Sequence, residues 1–419
     1  MRRKYQTTHP WLTFEVDLKK NDPVLWLNLG EAASKCEHLA GVPLRPEVAK
    51  RLHEIYLAKG AAATTAIEGN TLTEEQVLQH LRGKLTLPPS QEYLAQEVDN
   101  IVRACNEIAG QIVGPLQNPE VCVALLCRYN RQVRENLAEA DDLSPPGALR
   151  TEPVIVSAVY RGAPAEDGAW LLEHFCEWLN GDGFRAPSDR FRIPFAIIKA
   201  VIAHLYIAWI HPFGDGNGRT ARLLEFHLLL EAGVPLPAAH LLSDHYNRTR
   251  AEYYRQLDRA SKSGGDVLPF IQYAVQGFVD GLKLQLATVR EQQWQVSWEN
   301  HVHEIFRGAR ASETSKRHRD VALDLGNQPD WVEISTLPLL TPRLARAYAH
   351  KTRRTVERDV NAIVQTGLAE RQHGKVRARR ELILAFLPAR SQETARGLAA
   401  DRRGGVPNQA KSRLPPYAP

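Results

Sequence analysis

Twelve residues, HPFGDGNGRTAR from His211 to Arg222, concentrate one histidine, one aspartate, three glycines and two arginines. The His211 imidazole can take up a proton near pH 7. Asp215 is a hard oxygen donor of the kind that holds Mg²⁺ bridging phosphates. Gly216 and Gly218 free the backbone to turn its N–H groups inward. Such a nest at the start of a helix binds phosphate, and the helix dipole adds to it. Arg219 and Arg222 are three residues apart, so on a helix they share a face and reach the same anion. Singly, each residue is ordinary, since a histidine after a helix is usually structural and arginines at a helix start are usually surface charges. Base, metal ligand and phosphate cradle together point to phosphoryl or nucleotidyl transfer. The chain contains no GxxxxGK[ST], which excludes a P-loop.

The elements that must position this loop are legible on both sides. IPFAIIKAVIAHLYIAWI, Ile193 to Ile210, is apolar on nearly all faces and predicts a central buried helix. RTARLLEFHLLLEAG predicts the helix that follows, and a polar loop between two such helices is a site on a rigid scaffold. Further helical patterns run through residues 22–41, 45–69, 170–181, 247–261 and 268–306. Gly69 and Asn70 end the second of these, and Thr73 with Gln76 has capping-box spacing for the next helix. One β-like stretch, RTEPVIVSAVY from Arg150 to Tyr160, lies between turn-rich segments and predicts a short hairpin on a mainly α domain.

With 419 residues, 43% hydrophobic and 24% charged, the chain has an ordinary globular composition and length for two or three domains. The N-terminal segment is basic without an apolar h-region, and no run is read as membrane-spanning, so a cytoplasmic protein with no membrane partner is expected. Cys36, Cys105, Cys122, Cys127 and Cys176 lack metal-site spacing and read as buried free thiols. The net charge of +5 conceals an asymmetry. Residues 341–419 hold 17 Lys and Arg against 6 Asp and Glu, a surplus of 11, so the remainder carries −6. A basic end on an acidic body suits a polyanionic partner, and equally a solvated surface with a basic tail.

The loop resembles the Fic-domain signature HPFx(D/E)GNGRxxR at every defined position. AHLYIAWIHPF, RTEPVIV and AEYYRQLDRASKSGGD are similar to that family's surrounding segments, and the likeness runs from about Pro23 to Gln285. The resemblance implies a Fic helical bundle with a β-hairpin flap over the loop. It implies AMPylation: transfer of AMP from ATP to a Ser, Thr or Tyr hydroxyl of a target protein, with ATP as substrate and Mg²⁺ as cofactor. In that reading His211 is the base and Asp215 holds the metal. Gly216, Asn217 and Gly218 form the anion-binding turn, which continues through Thr220 and Ala221, and Arg219 and Arg222 hold the β- and γ-phosphates. Phe213 anchors the loop, and Tyr253 and Tyr254 match the adenine-side tyrosines, although helix-core aromatics fit the same spacing. The target would dock on the flap near Val154 to Ser157 by strand addition. Relatives often carry glycine where Ser157 stands and prolines soon after, so flap shape and target choice are open. Relatives often dimerise, which puts a homodimer among the expectations.

TTAIEGN, Thr64 to Asn70, resembles the family's inhibitory signature (S/T)xxxE(G/N). The resemblance implies that Glu68 pairs with Arg222, repels a γ-phosphate and keeps activity low. In some relatives this glutamate also helps remove AMP, so a de-AMPylating enzyme at the same site is the alternative. Beyond residue 312, three helical patterns precede two strand-like runs around His373-Gly374, an order that reads as a winged helix. Lys351, Arg353, Arg354 and Arg358 on the second helix of its helix-turn-helix-like pair, with Arg377, Arg379 and Arg380 in the hairpin, suit DNA contact, and a docking module fits equally. A DNA-binding regulator that uses the Fic domain as a nucleotide sensor is therefore a further reading. The expected organisation is a helical region 1–110 carrying the inhibitory motif, a catalytic core 111–300, the winged-helix-like domain 312–388 and a disordered tail 389–419.

Overall fold

The computed structural model describes residues 2–18, 23–113, 120–137, 144–156, 160–310 and 312–383. In chain order the helices of the first part are α1 (Tyr5–Thr8), α2 (Pro23–Gly41), α3 (Pro46–Ile67), α4 (Glu74–Leu81), α5 (Glu92–Val113) and α6 (Val123–Arg134). A two-stranded antiparallel hairpin follows, β1 (Ile155–Val156) and β2 (Tyr160–Arg161), with Ile155 opposite Arg161. Then come α7 (Ala165–Leu179), α8 (Arg192–Ile210), α9 (Asn217–Glu231), α10 (Leu241–Arg248), α11 (Arg250–Lys262) and α12 (Leu268–Ile305).

Helix α8 is the axis of this bundle. Ile197, Ile198, Ala200, Val201, Ile202, Ala203 and Ile207 have no exposed surface at all, and α2, α7 and α9 pack around them. Each isoleucine or valine among them contributes roughly 1.5–3 kcal/mol on burial. The stretch Asp189–Ile210 is long and apolar enough to cross a membrane, which corrects the sequence reading, but 78% of its most apolar window is buried inside the protein. Its all-round hydrophobicity is explained by neighbours on every side.

Local signals set the helix ends. Thr73 accepts from the Gln76 N–H while the Gln76 side chain accepts from the Thr73 N–H, the capping box expected at the start of α4. Helix α3 stops at Glu68, and Gly69 follows at φ +105°. Helix α8 ends on His211, a non-glycine residue at φ +51° and ψ +59°. Gly216, at φ +78°, opens α9.

The chain divides into two compact units, Met1–Arg290 and Glu291–Pro419, with the division inside α12. The expected boundary near residue 110 is absent. Helices α3 and α5 both pack on α9, so the segment Thr64 to Asn70 belongs to the same body as the loop His211 to Arg222.

The second unit holds α13 (Glu313–Gly326), β3 (Val332–Glu333), α14 (Pro342–Tyr348), α15 (Arg353–Gln365), β4 (Ala369–Gln372) and β5 (Lys375–Ala378). Its sheet order is β3-β5-β4, all antiparallel, and β4 and β5 turn at His373 and Gly374, both at positive φ. Strand β3 was not read from the sequence. Val356, Val360 and Ile363 of α15 are buried in this unit's own core, as their spacing predicts. The buried Asp359 accepts from Arg317, His318 and Tyr348 at 2.5, 2.9 and 3.1 Å. The expected tail 389–419, and 384–388 of the expected domain, lie outside the described residues.

Candidate active site

The site is the crossing from α8 to α9. His211 caps α8 directly after Ile210 in a left-handed conformation, which is uncommon for a residue with a side chain. Its N–H closes the helix on Ile207 O at 2.9 Å. With Nδ1 assigned as the protonated nitrogen, the ring donates to Ala208 O at 3.4 Å and leaves Nε2 as a free acceptor. Burial, helped by the Arg150 charge, pushes the His211 pKa down to about 4 against opposing contributions from the Ala208 carbonyl, Glu68 and Asp215. The imidazole is therefore neutral at pH 7, the form a general base needs.

The loop between the helices is closed by its own side chains. Asn217 Oδ1 accepts from the Phe213 N–H at 2.9 Å, and Asn217 Nδ2 donates to Phe213 O at 2.8 Å. Phe213 has no exposed surface and serves as the expected anchor. Asn130 of α6, also fully buried, donates to Asp215 O at 2.8 Å and to Thr220 Oγ1 at 3.3 Å, and accepts from the Gly147 N–H. A Cβ at Gly216 would meet Asn130 Nδ2 at 3.0 Å, so both the positive φ and the close approach require glycine there.

Helix α9 begins at this loop, so the N–H groups of its first turn have no acceptor within the helix. Arg219 rises from that turn and Arg222 from the next, 4% and 2% exposed. Arg219 donates to Glu97 Oε1 at 3.0 Å and to Asp215 Oδ2 at 2.8 Å. Arg222 donates from Nη2 to Glu68 Oε1 at 2.5 Å and to Thr64 O at 3.0 Å, both on or just beyond the end of α3. Burial alone would raise the Glu68 carboxyl pKa, but the Arg222 charge and hydrogen bond outweigh it and hold Glu68 below the ordinary value. The ion pair is thus formed at neutral pH.

His211, Asp215, Gly216, Gly218, Arg219, Arg222 and Glu68 come together as expected. Asn217 belongs to the same loop, with its side chain spent on loop closure. Thr220 and Ala221 differ from the expectation: both are fully buried, and the Thr220 N–H bonds Gly216 O at 2.9 Å. Tyr253 is buried with its hydroxyl 2.8 Å from His204 Nε2, inside a network where Tyr246 donates to Glu225. Its hydroxyl is a core group, as the helix-core alternative has it. Tyr254 is 44% exposed and reaches Ile67 O at 3.5 Å. Of the flap segment, Val154 to Val156 are described and Ile155 is 61% exposed, while Ser157 lies outside the described residues.

Four contributors were missed by the sequence reading: Arg150, Asn130, Arg134 and Glu97. Arg150 is 6% exposed and donates to His211 O at 2.6 Å and Glu152 O at 2.7 Å, as well as to Ala163 O. Arg134 lies 3.6 Å from Asp215 Oδ2 and donates to Ser144 O. Glu97 also accepts from Asn70 Nδ2 at 2.8 Å.

A helical bundle whose central helix hands over through a glycine-rich loop to a second buried helix, with a hairpin bonded to the crossing, defines the class. Residues 120–229 match the Fic/DOC family, and the chain carries a domain of that family. It is 30% identical over 239 residues to protein adenylyltransferase fic-1 of Caenorhabditis briggsae, over 54% of this chain and 42% of that protein. Against the Caenorhabditis elegans protein of the same name the identity is 31% over 213 residues, 50% of this chain and 37% of that one. The match thus spans about two fifths of these curated relatives. A Fic family protein from Desulfovibrio desulfuricans G20 shares the fold at TM-score 0.52 and 20% identity, over 86% of this chain and 97% of that one. Fic-1 (residues 134–508) from Caenorhabditis elegans does so at TM-score 0.50 and 24% identity, over 64% and 73%.

Proposed function

We propose that the chain is a protein adenylyltransferase, moving AMP from ATP to a hydroxyl of a target protein and restrained by Glu68. The observation that carries this reading is a neutral imidazole at the end of α8, joined by a short glycine-rich loop to two buried guanidiniums on the first two turns of α9. The names of the relatives support it.

In the transfer, the target hydroxyl oxygen bonds to the α-phosphorus, and the bond from that phosphorus to the bridging oxygen of pyrophosphate breaks. Pyrophosphate leaves with the electron pair. The hydroxyl proton goes to Nε2 of His211, which is left free because Nδ1 faces Ala208 O. Arg219 and Arg222 offset the charge that grows on the leaving group. Asp215 would hold Mg²⁺, which neutralises phosphate oxygens when bound. The donor set suits a cation carried mainly by phosphate and water. Asp215 Oδ2 faces Arg219, Oδ1 has no hydrogen-bond partner among the described residues, and no cluster of three or more ligating side chains is present among them. Strand β1, with Ile155 61% exposed, suits an extended target segment.

Glu68 opposes the reaction at Arg222. With Nη2 committed to the carboxylate, a γ-phosphate meets a negative charge where it needs a positive one. ATP labelled separately at the α- and γ-phosphates tests the transfer, with Glu68→Gly as the enzyme. Label from the α-position alone is expected on protein. Label from the γ-position would make it a phosphoryl transferase, and faster removal of AMP from a modified protein than its installation would favour the reverse reaction.

We also propose a polyanion contact for the second unit, as a winged-helix-like module. Lys351, Arg354 and Arg358 are exposed and have no carboxylate partner among the described residues. The hairpin arginines support it less, since Arg377 and Arg379 pair with Glu370 and Glu381, and Arg380 pairs with Glu291. Salt-sensitive binding of duplex DNA that is lost on neutralising the three free cations is expected. Binding that survives their loss, or no binding at all, would contradict it.

A further inference from the structure

The last carbonyls of an α-helix have no acceptor role within it and need partners from elsewhere. At the end of α8 those partners come largely from the flap. Trp209 O accepts from the Tyr160 hydroxyl at 2.8 Å. Ile210 O and His211 O accept from Arg150, at 3.4 Å from Nη2 and 2.6 Å from Nε. The Arg150 N–H donates to Pro212 O at 3.0 Å, and Leu149 bridges Phe213.

The same guanidinium closes the neck of the hairpin. Nη1 donates to Glu152 O, three residues before β1, and Nη2 donates to Ala163 O, two residues after β2. Gly162 lies in the gap between them. A Cβ there would stand 2.9 Å from Val154 Cγ1, 3.0 Å from His211 Cβ and 3.1 Å from Arg150 Nη2. His211 is thus pressed against the hairpin backbone at a position where a Cβ would be crowded from three sides.

Arg150 is a buried cation with no carboxylate within ion-pair distance among the described residues. Burial holds its pKa below the ordinary arginine value. An unpaired buried charge is expensive, and carbonyl dipoles alone seldom justify one. Here two of the four carbonyls, those of His211, the residue proposed as the base, and of its neighbour Ile210, lie at the negative end of α8, where a cation is favoured.

We propose that Arg150, assisted by Tyr160, is a positioning residue that fixes His211 in its left-handed conformation and ties the flap to the reacting centre. The claim rests on His211 being the base. It gives the flap a second task beside receiving a target segment: its neck is the cap of the helix that presents the imidazole. A strand docking on β1 would then act on His211 through one side chain. Lysine cannot replace Arg150, because an ammonium on a flexible stem does not reach carbonyls on both sides of the neck at once.

The test uses the full chain with Glu68→Gly as parent, and adds Arg150→Lys or Tyr160→Phe. Arg150→Lys is expected to lower kcat for AMP transfer on the order of 100-fold, as a shift of about 1 Å in a reacting group does. KM for ATP should change by less than about twofold, because Arg219 and Arg222 are untouched. Tyr160→Phe should show the same pattern at smaller size. The ¹³Cα resonance of His211 should leave its left-handed position in Arg150→Lys. An unchanged kcat in a folded Arg150→Lys protein, a loss confined to KM, or an unmoved His211 resonance would overturn the proposal. If the parent transfers no AMP, the adenylyltransferase reading fails, and the His211 resonance still decides on Arg150. If Arg150→Lys does not fold, Tyr160→Phe decides by the same readouts, since it removes one hydroxyl only.

Discussion

Glu68 Oε1 lies 2.5 Å from Arg222 Nη2 and 2.2 Å from where a Cβ at residue 218 would stand. The restraint proposed for Glu68 therefore needs two things from α9: an arginine at its second turn and a glycine at its first. Gly218 has no positive φ to excuse it, so here the glycine makes room for the carboxylate. The α3 end is held in place from the other side as well, by Arg250 donating to Ala66 O at 2.5 Å and Tyr254 reaching Ile67 O.

Removing the charge while keeping the shape should release part of the restraint. Glu68→Gln retains a carbonyl that can accept from Arg222 but no longer repels a phosphate. Autolabelling from α-labelled ATP is expected to lie between wild type and Glu68→Gly. Labelling equal to wild type would assign the restraint to bulk and not to charge.

Asn217→Asp should separate loop closure from ligand binding. The substitution keeps the acceptor for the Phe213 N–H and loses the donor to Phe213 O, replacing it with a carboxylate facing a carbonyl. A fall in transfer on the order of 10–100-fold is expected from a displaced loop. Thermal unfolding should shift downward in parallel. A normal rate would mean the pair is not what shapes the loop.

Asn130→Ala tests the support from α6. It leaves the Asp215 carbonyl and the Gly147 N–H without their partner in a buried place. A destabilisation of roughly 2–4 kcal/mol is expected, since unsatisfied buried groups carry their full desolvation penalty. Denaturant unfolding measures it. A change below about 0.5 kcal/mol would be of surface size and would contradict the assignment.

Much of the site was legible because it is local. Twelve contiguous residues hold the base, the turn and both arginines, and helix geometry fixes Arg219 and Arg222 on one face. The same geometry explains the misses. Thr220 and Ala221 follow Arg219 directly, yet successive helix positions turn by about 100°, which carries them into the core. Tyr253 and Tyr254 are neighbours for the same reason and cannot both face the cleft. Arg150, Asn130 and Glu97 are 61, 85 and 122 residues from the groups they hold, and nothing in their local pattern marks them. The apolar run of α8 was clear as a pattern, but only its neighbours separate a core helix from a membrane span.

Acid should weaken the fold through histidines that are buried uncharged. Burial pushes His211 and His227 down to about 4 and His240 to about 3. Their unfolded values lie near 6.5, so between about 6.5 and 4 the unfolded chain binds more protons than the folded one. Stability present above pH 6.5 is therefore lost as pH falls through that window, by a few kcal/mol in sum. Unfolding midpoints in urea at pH 7.5, 6 and 5 would follow it, and a midpoint independent of pH would contradict it.

The most direct test follows α-labelled ATP onto the protein itself in three forms: wild type, Glu68→Gly, and Glu68→Gly with His211→Ala. The expected result is faint label on wild type, strong label on Glu68→Gly, and none once His211 is removed. Label that persists without His211 would contradict the base, and equal label on wild type and Glu68→Gly would contradict the restraint at Arg222.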